Sequence, residues 1–289
     1  MTLIILLIGI VIEHFVGISD DIRRFGWFDR YSKSLESRLG QYKVWNGVNG
    51  VLITLAGPLL IVWFVSSILI SLFYPLGLLF ALAVLLYSLG PKYLDPFLDE
   101  YITALEEGDD VLAAELEQEL ISNGDSEQQG VQCVVENIFL QANERLFGVI
   151  FWFLVLGPLG ALLFRLANLL KLQNLNFHGN YPDAARDLCD ILNWPVIRLF
   201  ALGNALSGHL VDALEAWRGA DEFSLHVNET VLKKTGLGAL QYRVRRATDD
   251  DSMEIESSYW IKSLQGLLNR TLIIWLIVLG LMTLAGWLK

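Results

Sequence analysis

Three aspartates are spaced so that they share one face of a predicted helix. Asp183, Asp187 and Asp190 follow one another at i, i+4 and i+7, which aligns their carboxylates along a helix over residues 183–194. Clustered carboxylate oxygens are ligands for Mg²⁺, which often brings a substrate phosphate with it. A plain solvated helix face is the alternative, and the sequence leaves both interpretations open.

Further polar residues stand near the ends of apolar segments, where burial without a partner is costly. Glu13 lies within or just below the first apolar run, where it is either a functional carboxylate or an interfacial one beside Arg23 or Arg24. Arg165 lies just inside the far end of a later apolar run. Arg165 must either extend to the lipid headgroups or pair with a carboxylate such as Glu13 or Glu136. We therefore predict a polar pocket near the cytoplasmic face, formed by Glu13, Glu136, Asn137, Arg165, Asp187 and Asp190.

The element that must position this pocket is the apolar stretch over residues 145–171. It carries no charge over residues 146–164, and roughly 20 apolar residues suffice to cross a bilayer. Its centre, Gly157-Pro158-Leu159-Gly160, disfavours an unbroken helix because proline removes a backbone donor and glycine lowers helix propensity. Backbone groups freed at membrane depth require shielding by protein or a cavity. The stretch is either a kinked span buried among other helices or a re-entrant hairpin of two short half-helices.

The composition identifies an integral membrane protein. Hydrophobic residues make up 54% of the 289 and charged residues 18%, whereas soluble domains carry roughly 25% charged residues. The net charge of −11 excludes nucleic acid as a partner. Cys133 and Cys189 form neither a disulfide framework nor a metal motif. We predict an all-α fold with about four to five transmembrane helices, a central segment broken at its Gly-Pro pair and amphipathic cytoplasmic helices.

Alternation of apolar and polar stretches divides the chain into five segments. They are an N-terminal helix, basic loop and transmembrane hairpin (1–91), an acidic helical loop (92–144), the broken segment with carboxylate-bearing and interfacial helices (145–213), a polar helical region (214–270) and a terminal span (271–289).

The basic residues indicate the orientation of the chain in the membrane. Residues 19–43 contain six lysines and arginines, which place this loop in the cytoplasm by the positive-inside rule. Residues 92–144 and 214–270 are predicted on the same side. The chain is therefore expected to be a multi-pass protein of the bacterial inner membrane.

Four segments resemble a known family of membrane proteins. They are the opening apolar helix that ends in Glu13 and is followed by Phe15-Val16-Gly17, then Leu156-Gly157-Pro158-Leu159-Gly160-Ala161-Leu162-Leu163-Phe164-Arg165, Ala184-Ala185-Arg186, and Asp190-Ile191-Leu192-Asn193-Trp194 followed by Arg198. The resemblance is to AmpE, the inner-membrane protein associated with the AmpD amidase in peptidoglycan recycling and β-lactamase regulation. AmpE belongs with the CobD/CbiB cobalamin-biosynthesis proteins, which join an aminopropanol group to adenosylcobyric acid. The resemblance implies that Asn193 and Arg198 also bind the ligand, and it implies no catalytic residue.

The chain departs from the cobalamin enzymes at three of their motifs. Their Arg-Asp-Thr is replaced by Ile121-Ser122-Asn123-Gly124-Asp125, and the carboxylate that closely follows their Glu-Asn is missing after Glu136-Asn137. Their Asp-Asp pair is Cys189-Asp190 here. Fewer carboxylates weaken a site that must neutralise phosphate through Mg²⁺.

These departures favour a non-enzymatic signalling or accessory protein of the AmpE type, with a degenerate polar pocket. Its expected partners are the lipid bilayer and either an AmpD-like amidase or another membrane protein. No cofactor is expected, although the pocket has ligands suited to Mg²⁺. The alternative is a membrane-bound ligase similar to adenosylcobinamide-phosphate synthase.

Overall fold

The computed structural model describes residues 2–16, 25–42, 45–90, 94–121, 130–173, 180–220, 224–242 and 253–286, and every regular element among them is a helix. The α-helices are α1 (Thr2–Val16), α2 (Gly26–Leu39), α3 (Val48–Leu72), α4 (Tyr74–Ser88), α5 (Leu94–Glu107), α6 (Asp110–Ile121), α7 (Val131–Ala142), α8 (Gly148–Leu156), α9 (Pro158–Leu172), α10 (Tyr181–Ser207), α11 (Leu210–Arg218), α12 (Asn228–Ala239) and α13 (Met253–Leu284). Parts of the predicted loop 19–43 and of the motif at 121–125 lie outside the described residues.

Within the part of the chain that the structure describes, three helical stretches are long and apolar enough to cross a membrane: Val48–Leu72, Val131–Leu156 and Ser257–Leu284. Two shorter apolar helices accompany them, Leu3–Glu13 and Tyr74–Ser88. Helices suit a membrane because each backbone donor finds its acceptor within the same segment. The prediction of an all-helical membrane protein is confirmed.

The central stretch forms a sharp turn between two helices that pack against each other. Helix α8 ends at Gly157, whose φ of 67° and ψ of −149° leave the helical region, and α9 begins at Pro158. Glycine tolerates a positive φ, and proline suits the first position of a helix because its missing N–H is not needed there. A Cβ atom at Gly160 would collide with the Trp152 carbonyl oxygen of α8. These contacts exclude a single kinked helix and favour the hairpin.

The first arm of this hairpin is longer than the predicted half-helix. Helix α8 continues α7 through one π-helical turn, Asn143–Phe147, and together they form the apolar stretch Val131–Leu156. The break at Gly157 therefore ends a long helix. Whether the hairpin is re-entrant in the bilayer stays a prediction.

Helix α10 joins two elements that the sequence pattern separates. It continues through Pro195 to Ser207, so the predicted helix 183–194 does not end at this proline. Proline removes the backbone donor that would bond the carbonyl one turn earlier and crowds that turn. Beside this weakened turn, the Trp152 indole nitrogen donates to the Leu192 carbonyl at 3.0 Å.

The contacts divide the chain into two compact units. The first contains Met1–Pro91 and Glu144–Trp194, and the second contains Lys92–Asn143 and Pro195–Trp287. The five predicted segments follow polarity along the sequence rather than contacts in space, so the units do not test them and they stay a prediction.

The first unit has a core in which α2, α3, α4 and α9 meet. Phe28, Leu55 and Leu166 are almost fully buried there. Trp45 and Tyr181 stack with ring centroids 5.6 Å apart, and the Tyr181 hydroxyl donates to Thr54 Oγ1 at 3.0 Å. This core holds the hairpin of α3 and α4 against α9, the helix that carries Arg165.

The second unit packs α13 against α5 and α7, and α12 against α7 and α11. Within it, Thr271 Oγ1 of α13 donates to Asn204 Oδ1 of α10 at 3.0 Å. Both side chains are fully buried. A buried hydrogen bond of this kind joins helices in a setting where lipid provides no alternative partner.

Candidate functional site

The three aspartates that share one face of α10 differ in their exposure to solvent. Asp183 and Asp187 are exposed, and Asp190 is half-buried. Within the described ranges, no three histidine, cysteine, aspartate or glutamate side chains gather so that they could hold a metal ion. A Mg²⁺ site of three or more such side chains is thus not found among the described residues, although one or two carboxylates with waters and substrate phosphates suffice for this ion.

Immediately behind this face, three buried polar side chains connect α9 and α10. The Cys189 thiol donates to Asn168 Oδ1 at 3.0 Å, and Asn193 Nδ2 approaches the same oxygen at 3.3 Å. Asn193 Nδ2 also donates to the Cys189 carbonyl at 3.0 Å, and Asn168 Nδ2 donates to the Phe164 carbonyl at 2.9 Å. The amide groups are thus oriented by their own helices before they meet. We call Asn168, Cys189 and Asn193 the amide–thiol cluster.

Sequence reasoning included only Asn193 of this cluster. Asn168 could have indicated the cluster, because it is a lone amide in an apolar run. A buried polar group of this kind must be hydrogen-bonded, so it needs a partner nearby. Cys189 and Asn193 are one helical turn apart, so they project from the same side of α10. The pattern alone does not show that Asn168 on α9 is their common acceptor.

Burial controls the chemistry of the Cys189 thiol. The side chain is completely buried, and desolvation raises its pKa to about 12. The nucleophilic form of cysteine is the thiolate. Cys189 is therefore an inert hydrogen-bond donor in the folded protein.

We predict that Cys189 does not react with a maleimide at pH 7.5 while the protein is folded. The experiment uses a Cys133→Ala background, so that Cys189 is the only thiol, and compares labelling before and after denaturation. Ser34→Cys in a chain that lacks both native cysteines is the exposed control. Equal labelling rates for folded Cys189 and the control would contradict the burial argument.

The same pKa shift predicts a loss of stability at alkaline pH. The folded thiol keeps its proton to about pH 12, whereas the ordinary value is 9.0, so the unfolded chain binds fewer protons between these values. Stability must then fall as pH rises above about 9, by up to about 1.4 kcal/mol per pH unit. Detergent-solubilised protein should show this fall in SDS unfolding, and Cys189→Ala should reduce it.

Arg165 lies over an aromatic ring in the first unit. Its guanidinium carbon is 5.5 Å from the centroid of Phe25, and Phe25 in turn lies 4.6 Å from the ring of Tyr87. A guanidinium over an aromatic face is stabilised by the ring quadrupole. Glu13 is half-buried on α1. The predicted ion pair of Arg165 with Glu13 or Glu136 stays a prediction.

In the second unit, Glu136 and Asn137 lie on α7. Glu136 Oε1 accepts from Gln132 Nε2 at 2.8 Å, and its other oxygen is 3.8 Å from Lys233 Nζ. Asn137 is buried and donates to the Cys133 carbonyl at 2.9 Å. The positive charge of Lys233 thus partly offsets the negative charge of Glu136.

Arg198 is the third predicted ligand-binding residue in this unit. Its Nη1 donates to Asn228 Oδ1 at 2.7 Å, and burial lowers its pKa from the ordinary value. Asn228 is almost fully buried, so this contact ties α10 to the start of α12. Sequence reasoning missed both Asn228 and Lys233, because neither stands in a motif.

The eight predicted ligand-binding residues are therefore divided between the units. Glu13, Arg165, Asp187, Asp190 and Asn193 belong to the first, and Glu136, Asn137 and Arg198 belong to the second. Their convergence into one pocket stays a prediction.

Comparison with known proteins identifies the family. Residues 6–247 match the family described as CobD/Cbib protein, which is more than half of the chain. The chain belongs to this family. The chain is also similar to a cobalamin biosynthesis protein CobD from Chromobacterium violaceum, with 29% identity over 212 residues, 70% of this chain and 66% of the relative.

A second relative carries the same name. The cobalamin biosynthesis protein CobD of Stutzerimonas stutzeri is 31% identical over 119 residues, 39% of this chain and 39% of the relative. The matched part thus covers about two thirds of the first relative and about two fifths of the second. No solved structure matches the chain.

These relatives overturn the functional interpretation drawn from the sequence. The assignment to a non-enzymatic AmpE-type signalling role in peptidoglycan recycling and β-lactamase regulation is wrong, because both relatives are named for cobalamin biosynthesis. The error came from treating the number of carboxylates as a measure of activity. Mg²⁺ keeps several waters and binds through one or two carboxylates plus substrate phosphates, so missing carboxylates are weak evidence against an enzyme.

Proposed function

We propose that this protein is a membrane-bound enzyme of cobalamin biosynthesis, a ligase similar to adenosylcobinamide-phosphate synthase. The observation that carries the proposal is the family match over residues 6–247. The two relatives named cobalamin biosynthesis protein CobD support it. We further propose that the chain passes several times through the bacterial inner membrane.

The proposed reaction joins the amino group of an aminopropanol to a carboxylate of a corrinoid. A carboxylate is a poor acyl donor, so ATP first transfers a phosphoryl group to its oxygen and leaves as ADP. The ammonium form of the aminopropanol first loses one proton, and the free amine then attacks the acyl carbon. Phosphate departs with the oxygen, and the nitrogen loses its second proton. The product is an amide, formed with one ADP and one phosphate.

The residues of α10 suit the amine in this scheme. Asp187 is exposed and Asp190 is half-buried, so a soluble amine can reach the outer carboxylate, while the inner one lies closer to the protein interior. A carboxylate that accepts hydrogen bonds from an ammonium group favours the bound cation. We propose that these two aspartates bind and orient the amino group.

The test is an assay of the detergent-solubilised protein with ATP, Mg²⁺, adenosylcobyric acid and aminopropanol, with the amide detected by mass spectrometry. We expect wild-type turnover and a loss of about tenfold or more for Asp187→Asn and for Asp190→Asn, because a charged hydrogen bond contributes about 1.5–3 kcal/mol. Asp183→Asn is the matched control: it removes an exposed carboxylate one turn earlier and should be nearly silent. Folded wild-type protein that forms no amide and consumes no ATP would contradict the proposal.

A further inference from the structure

The first unit contains an apolar groove at the place where α2 meets the hairpin of α3 and α4. Its volume is about 480 Å³, and its walls are formed by α2, α3, α4 and α9. The lining side chains include Trp27, Tyr31, Ile61, Val62, Val84 and Leu162. Such a groove offers dispersion contacts to an alkyl chain and no hydrogen bonds within its depth.

The groove lies beside a membrane-spanning helix. Helix α3 is one of the candidate spans, and its groove residue Ile61 is 65% exposed, so this wall faces the lipid phase. At the α2 side, the Trp27 indole donates to the Tyr87 hydroxyl at 2.6 Å. Tryptophan and tyrosine are enriched at the membrane–water interface. One end of the groove is thus at headgroup level, and the rest extends along the span.

Helix α2 is basic on its exposed side. Arg30 and Lys33 are exposed, and Lys33 Nζ contacts Asp29 at 2.8 Å. Arg30 directly precedes the groove residue Tyr31, whereas Lys33 lies on another side of α2 and is paired with Asp29. The protein as a whole is strongly acidic, with a net charge of −11, so a basic residue beside the groove attracts an anionic lipid headgroup more than most of the surface does.

We propose that this groove binds one anionic phospholipid. One acyl chain lies in the groove between α3 and α4, and the phosphate lies against Arg30, the residue next to Tyr31 on α2. The inference goes beyond the proposed ligase activity and does not depend on it. Neutral lipids are the competing occupants that the experiment must separate.

The experiment is native mass spectrometry of the full-length protein in detergent, titrated with phosphatidylglycerol or with phosphatidylcholine of the same acyl chains. We expect one phosphatidylglycerol to be retained, with at least about tenfold preference over phosphatidylcholine. Removing the charge in Arg30→Gln should weaken binding about fivefold, since each basic residue near a membrane surface contributes on that scale. Lys33→Gln removes an equal charge on the side of α2 away from the groove and should have a smaller effect.

Filling the groove should abolish retention. Ile61→Trp places a bulky ring in the groove, whereas Leu60→Trp changes the adjacent residue, which is 62% exposed and does not line the groove. We expect the affinity for phosphatidylglycerol to fall at least tenfold in the first variant and to stay unchanged in the second. Equal binding of the two lipids, or unchanged binding by Ile61→Trp, would overturn the proposal. Neither measurement uses corrinoid or ATP, so its outcome is separate from that of the ligase assay.

Discussion

Gly160→Ala is expected to destabilise the protein by roughly 3 kcal/mol, the upper end of the cost of overpacking. A Cβ atom at this position would collide with the Trp152 carbonyl oxygen and would lie 2.7 Å from the Leu156 Cβ atom. Backbone cannot yield as the end of a flexible side chain can. Relieving the clash would therefore require α9 to move away from α8, which opens the hairpin at the turn between them.

The measurement is the free energy of unfolding in SDS, with circular dichroism as the signal. Gly280→Ala is the matched control, because the same substitution on α13 meets no atom within 4 Å. It removes a glycine from a helix and should be neutral or slightly stabilising. If both variants unfold at the same SDS fraction as the wild type, the close approach of α8 and α9 is not a feature of the protein.

Asn168→Leu is expected to cost roughly 2 kcal/mol, although leucine is a better helix former of similar size. The substitution deprives the Cys189 thiol of its acceptor and removes the contact at 3.3 Å between Asn168 Oδ1 and Asn193 Nδ2. The Cys189 thiol is 0% exposed, so without its acceptor it cannot turn to water and its desolvation is not compensated. Asn193, which is 6% exposed, loses one contact but keeps its hydrogen bonds to the Cys189 carbonyl and to Cys189 Sγ.

A double-mutant cycle distinguishes this loss from a simple packing defect. Asn168→Leu combined with Asn193→Leu should cost less than the sum of the single changes by about 1 kcal/mol, since the pair is removed together. The free energies come from SDS unfolding of all four proteins. Strict additivity would show that the two amides do not interact across α9 and α10.

The amide–thiol cluster gives the proposed amine site a rigid support. Asp190 follows Cys189 directly in the sequence, so the helix segment that carries the carboxylate is anchored to α9 from behind. Binding groups supported by locked neighbours hold their geometry better than groups on mobile loops. Cys189, which directly precedes the proposed amine-binding carboxylate, thus has a structural role.

The fold class was predictable because it depends on local properties of the chain. A composition with few charges and long uncharged runs requires helices in a membrane, and Val48–Leu72 and the part of Ser257–Leu284 that follows Arg270 are such runs. The start of this last helix at Met253 was not predicted, because residues 253–270 were assigned to the polar region. The break at Gly157-Pro158 was predictable for the same reason, since proline and glycine act on their own backbone. Family membership also followed from short segments of sequence, whereas the specific role drawn from them did not.

Other features depended on which surfaces meet in three dimensions. Two alternatives for the central stretch, a kink or a hairpin, differ only in whether α8 and α9 pack, and this depends on the approach of Gly160 to the Trp152 carbonyl. The helix α10 continues past Pro195 because a single proline in a helix can be tolerated where packing and a hydrogen bond such as that from Trp152 support the weakened turn.

The same reason limits what the sequence says about the candidate site. Spacing placed three aspartates on one face of α10, but burial, which separates exposed Asp187 from half-buried Asp190, depends on neighbouring helices. Asn168 becomes a partner of Cys189 only when α9 lies against α10, although 21 residues separate them along the chain. The sequence by itself determined the helices, their apolar faces and the break between α8 and α9. Tertiary structure alone decided which polar groups meet, because a buried hydrogen bond requires two atoms within about 3 Å that no periodicity along one helix can bring together.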